Sequence, residues 1–62
     1  MPFVNVKVAG ALNGDQKRKI AAGITRLMEE VAGKPPAATY VVIEEVPRSN
    51  WAKSGELLES PD

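Results

Sequence analysis

Pro2 is the residue of this chain whose chemistry depends most on its position. It follows Met1 directly, and a small uncharged second residue normally lets an aminopeptidase remove the initiator. Removal would leave Pro2 as a terminal secondary amine. When neutral, such an amine is both a base and a nucleophile. The next residues, Phe3-Val4-Asn5-Val6-Lys7-Val8, alternate apolar and polar, so the amine would stand at the start of a β-strand and be fixed in space. The dipeptide alone has a plainer explanation. Proline suits the first position of a strand, where its missing N–H costs no ladder bond.

Other chemistries are excluded by composition. The 62 residues include no cysteine and no histidine. Disulfides, Cys/His zinc sites and Ser/His or Cys/His nucleophile systems are therefore ruled out. Gly10 and Gly14 do not make a phosphate loop, because no lysine followed by serine or threonine stands at the needed spacing. Glu44 and Glu45 are adjacent in a strand-like segment and face opposite ways, so they form no carboxylate dyad. No metal or cofactor is expected. Eight acidic residues balance eight basic ones, which leaves no cationic excess for nucleic acid. The longest uncharged stretch, residues 35–43, is too short to span a bilayer. The start lacks a basic region followed by an apolar core, so the default location is the cytoplasm.

The elements that position Pro2 are readable from periodicity. Residues 2–8 form a strand, with Val4, Val6 and Val8 on one face and Phe3, Asn5 and Lys7 on the other. Residues 10–14 are a loop. Asn13 is a helix N-cap with Gln16 as its reciprocal partner, and Asp15 suits the positive helix end. Ile20, Ile24, Leu27 and Val31 then recur on one helical stripe, and Arg26 is spaced to pair with Glu30. Gly23 inside the helix implies close packing there. Gly33 ends the helix, and Pro35-Pro36 prevent its continuation. Residues 39–46 form a second strand, apolar enough at its centre to be covered on both faces. Residues 47–50 turn, residues 51–58 form a small hairpin about Ser54-Gly55, and residues 60–62 fray.

The fold class is α+β. One domain, residues 1–62, holds a β-α-β unit with two parallel strands, one helix and a short C-terminal hairpin. One helix covers only one face of a two-stranded sheet, leaving Phe3, Tyr40 and Val42 exposed on the other. A chain this short buries only about 60% of its unfolded surface and needs a staple. With disulfides and zinc unavailable, oligomerisation supplies it.

In order and spacing, Pro2, the strand 3–8, Asp15-Gln16-Lys17, Gly33-x-Pro35, the strand 40–45, Asn50-Trp51 and Gly55-Glu56-Leu57 resemble the 4-oxalocrotonate tautomerase family over nearly the whole chain. The resemblance implies hexamers, built as trimers of dimers, with sites shared across subunits. It implies that Pro2 is a general base interconverting enol and keto forms of a small carbonyl acid. Such a base must have its pKa lowered toward neutrality by burial or nearby cations. Well-known members carry two arginines for the carbonyl and carboxylate groups. The matching positions here are Leu12 and Tyr40, which argues against a dicarboxylate substrate.

Trp51 keeps the family's aromatic wall, with Leu12 as an apolar wall. Tyr40 is either a donor to the enolate oxygen or an aromatic packing between subunits. Lys53 and Arg48 are candidate replacement cations, and Lys7 another; for each, a solvated surface charge is the simpler reading. Two alternatives accompany the tautomerase reading. One is a hydratase or dehalogenase of an unsaturated acid, with a cationic proline as acid. The other is a non-catalytic subunit of a hetero-oligomer, whose homologous partner chain supplies the arginines.

Overall fold

The computed structural model describes residues 1–59. Strand β1 (Phe3–Ala9) leads through a loop into helix α1 (Gly14–Ala32), and a 3-10 turn (Pro36–Ala38) leads into strand β2 (Tyr40–Val46). A second 3-10 turn (Arg48–Asn50) precedes a hairpin of β3 (Ala52–Lys53) and β4 (Glu56–Leu57). β1 and β2 pair in parallel, with Phe3 opposite Tyr40 and Ala9 opposite Val46. The expected β-α-β unit and antiparallel hairpin are both present.

Local chemistry explains the boundaries. The Gln16 N–H donates to Asn13 Oδ1 at 2.8 Å, and the Asn13 N–H donates to Gln16 Oε1 at 2.9 Å, completing a reciprocal cap. At the far end Gly33 adopts φ 65°, which lets the chain leave the helix while its N–H still reaches the Glu29 carbonyl at 3.1 Å. Ser54 and Gly55 both have positive φ, 54° and 81°, the pattern of a tight turn whose twist matches that of the strands it joins.

Four details differ from the sequence reading. Thr39 is not in the strand: its N–H and hydroxyl donate to Pro36 O and Pro35 O and close the 3-10 turn. The helix face turned to the sheet runs through Lys17, Ile20, Ala21, Ile24, Thr25 and Met28, all half-buried. Leu27 and Val31 are 55% and 77% exposed, because Met28, equally apolar, takes the place assigned to Leu27. Among the described residues Arg26 and Glu30 form no ion pair; Asp15 instead pairs with Lys19 at 3.1 Å and lies 3.9 Å from Arg18. A Cβ built on Gly23 would meet nothing within 4 Å, so the close packing inferred there is not made within one chain. The expectation for residues 60–62 lies outside the described residues.

No described residue is fully buried. Val4, Val6 and Val8 of β1, with Val41 and Ile43 of β2, are half-buried on one face, while Phe3, Tyr40 and Val42 stay exposed on the other, where alternation also puts the half-buried Val46. The radius of gyration is 14.7 Å and the shortest extent 14 Å. A compact chain of this length would have a radius near 11 Å.

Candidate active site

Parallel pairing divides the candidate residues between two ends of the sheet. Pro2 and Tyr40 lie together at the start of both strands, where the Tyr40 N–H donates to the Pro2 carbonyl at 3.0 Å. The ladder therefore uses the carbonyl of Pro2 and leaves its nitrogen outside the hydrogen-bonding pattern. Met1 is 87% exposed; while it is attached the Pro2 nitrogen is an amide without a basic lone pair, and its removal would leave a secondary amine. Tyr40 is 54% exposed and pairs across the ladder with Phe3.

Leu12, Arg48, Trp51 and Lys53 lie beyond the other end of the strands. Seven residues of strand separate the two groups by about 20 Å. No single chain brings Pro2 to Trp51, and a single chain's described residues enclose no pocket. A site using both groups must draw them from different copies.

The Leu12–Trp51 end is tightly organised. The Trp51 indole Nε1–H donates to the Val46 carbonyl at 3.2 Å, and the Gly10 N–H donates to that same oxygen at 3.0 Å. The loop after β1 and the ring of Trp51 thus converge on the last residue of β2. Next to it, the Glu45 carboxylate contacts the Lys17 ammonium and accepts the Leu12 N–H in a long bond of 3.4 Å. The hydrogen bond from Lys17 is the main cause holding the Glu45 carboxyl below its ordinary value, with the Leu12 N–H adding to it and partial desolvation opposing. Arg48 lies in the 3-10 turn, its carbonyl accepting the Trp51 N–H at 3.1 Å. Lys53 is exposed and opposite Glu56 in the hairpin. Among the described residues neither Arg48 nor Lys53 is in an ion pair, whereas Lys7 lies 4.0 Å from Glu44 Oε1, which also accepts from Asn5 Nδ2 at 2.7 Å. Glu44 and Glu45 do serve opposite faces, one beside Asn5 and Lys7, the other beside Lys17.

Glu45 and Val46 were not singled out from sequence. For Glu45 a signal existed: alternation places its carboxylate on the same face as Val41 and Ile43, and Lys17 stands one helical turn before Ala21 on the covered stripe. A charge on a covered face calls for a partner. The Val46 carbonyl left no sequence signal, since any residue has one.

Known proteins supply the remaining finding. A family model described as "Tautomerase enzyme" matches residues 2–60. The probable tautomerase K2 of Dickeya dadantii (strain 3937) is 42% identical over 59 residues, covering 94% of this chain and 88% of that protein. The crystal structure of YwhB, a homologue of 4-oxalocrotonate tautomerase, superposes with a TM-score of 0.89 at 28% identity, covering 98% of this chain and all of the other. A structure solved for the mechanism of trans-3-chloroacrylic acid dehalogenase activity superposes at 0.81 with 31% identity, covering 94% and 100%.

Proposed function

This chain belongs to the tautomerase family, and on that premise we propose that it is an isomerase in which Pro2, freed of Met1, moves a proton between enol and keto forms of a small carbonyl acid. The observation that carries the reading is the engagement of Pro2 through its carbonyl alone. The strand fixes the residue, and cleavage of the initiator would turn its nitrogen into a secondary amine at the head of β1.

The working site is shared between copies. One chain contributes Pro2 and Tyr40, and another contributes Leu12, Trp51 and the cations Arg48 and Lys53. The exposed faces around Phe3, Tyr40 and Val42 favour such assembly, as does the 20 Å separation within the chain. The Pro2 amine must be neutral near pH 7, which requires burial in the assembled site or a cation beside it. Tyr40 would donate to the enolate oxygen. Arg48 or Lys53 would receive the carboxylate over the Trp51 ring. By the resemblance, Leu12 and Tyr40 occupy the positions of the family's two arginines, and the substrate this favours is a monocarboxylic 2-oxo acid enol.

The experiment pairs intact mass of the purified protein with turnover of an enolised 2-oxo acid. Protein lacking Met1 is expected to turn over. Pro2→Ala is expected to lose roughly 10²–10⁴-fold, the usual contribution of a positioned base. Equal rates for the two proteins overturn the reading.

The similarity to the dehalogenase structure favours a second reading, hydration or dehalogenation with a cationic Pro2 as acid. That chemistry also needs a carboxylate to activate water. Within the chain Glu44 and Glu45 are held by Asn5, Lys7, Lys17 and Leu12, which weakens it. Titration of the Pro2 nitrogen decides between them: a value near 7 supports the base, a value well above supports the acid.

A further inference from the structure

We propose that Glu45 is a positioning residue that acts through Leu12. The inference rests on the site described under Proposed function and names a residue that site would depend on without its touching substrate.

The loop 10–13 carries Leu12, which is half-buried, and hydrogen bonds fix its backbone. Gly10 adopts φ 96°, a left-handed conformation that turns the chain out of β1, and a Cβ there would meet no neighbour, so the turn is held by backbone bonds. Its anchors are three. The Gly10 N–H reaches Val46 O, the Asn13 cap fastens the end that enters α1, and between them the Leu12 N–H reaches Glu45 Oε2. Of the three, only the Glu45 bond acts at Leu12 itself.

Lys17 completes the device. It lies one turn into α1, contacts the Glu45 carboxylate from the other side, and ties strand, helix and loop into one unit. With Lys17 beside it, Glu45 stays ionised throughout the neutral range, and an ionised acceptor makes the stronger bond to an amide. Trp51 hangs from the adjoining residue through Val46 O. Residues 45 and 46 thereby set the spacing between Leu12 and Trp51, the two apolar walls of the site.

A wall binds substrate and transition state alike, so loosening it raises KM and spares kcat. In processed, assembled protein, Glu45→Ala is expected to raise KM about 3–10-fold and leave kcat within about twofold. Leu12→Ala is expected to raise KM comparably. Because Glu45 acts through Leu12, the double variant should be no worse than the poorer single variant. Glu45→Gln keeps an acceptor for the Leu12 N–H, preserves assembly, and should fall between wild type and Glu45→Ala.

Hydrogen exchange at the Leu12 amide gives a readout that needs no turnover: it should accelerate in Glu45→Ala and less in Glu45→Gln. Unchanged Leu12 exchange in Glu45→Ala overturns the clamp. KM effects that multiply in the double variant, or a fall in kcat without a rise in KM, overturn action through Leu12. A Pro2→Ala protein as active as wild type defeats the site reading instead, and is told apart because Leu12 exchange still reports on Glu45.

Discussion

At the scale of single residues, Glu45 shows how a charge can be useful on a face that is mostly apolar. Its folded carboxyl holds a proton less readily than an unfolded one, whose ordinary value is 4.5, chiefly because of Lys17. The stabilisation is therefore present above the unfolded value and lost as pH falls through the lower folded value. Glu45→Gln should flatten the acid limb of stability below about pH 4.5, seen as a smaller drop in Tm between pH 5 and pH 3 than in wild type. An unchanged acid limb would show that Lys17 and Glu45 do not interact in solution.

Residues were also where the sequence was least complete. Pro2 could be selected by type and position, and Tyr40 and Trp51 through the family resemblance. That Pro2 and Tyr40 touch through backbone atoms follows from a register that only parallel pairing fixes. The Trp51 indole bond to Val46 O could not be read, because it depends on how the second 3-10 turn folds the ring back over the end of β2.

At the scale of elements, the caps, the turns and the strands were legible, while the helix stripe and the Arg26–Glu30 pairing were not. The Asn13–Gln16 cap, the Gly33 exit and the Ser54-Gly55 turn each rest on a specific hydrogen bond or dihedral, and each is found where residue type placed it. Asn13→Ala should cost about 1 kcal/mol, read as a shift in the denaturation midpoint with unchanged m. A loss below about 0.5 kcal/mol, the lower edge of measured cap effects, would mean that the cap is replaced by water.

The helix stripe drifted because 3.6 residues per turn lets Ile24 be followed by either Leu27 or Met28, and both are apolar. Geometry against a twisted two-stranded sheet selected Met28. Leu27 and Val31 then fall with Gly23 on a second, outward stripe at spacings of four. A glycine with open space above it, followed by two exposed apolar residues, is the pattern expected of a helix that meets another helix closely.

At the scale of the whole molecule, the chain is a slab with two workable faces and little interior. Its accessible surface is 4701 Å², against about 3,900 Å² for a compact folded chain of its mass. The excess, roughly 800 Å², is what one partner contributes to a standard protein interface. Oligomerisation was expected from length, the absence of cysteine and a sheet with one helix; the lack of a fully buried residue among those described points the same way. Stability should consequently depend on concentration. A hundredfold dilution is expected to lower Tm measurably, whereas a self-sufficient monomer would keep it constant. A Tm independent of concentration, together with a monomeric mass in solution, would contradict the shared site.

The thinness of the slab has a consequence for the protein's life in a cell. If copies bury their faces against one another as proposed, a newly made copy, with no fully buried residue among those described, would be more open to proteases before assembly than after it. Survival would then depend on how fast copies accumulate, so that abundance would rise more steeply than in proportion to synthesis.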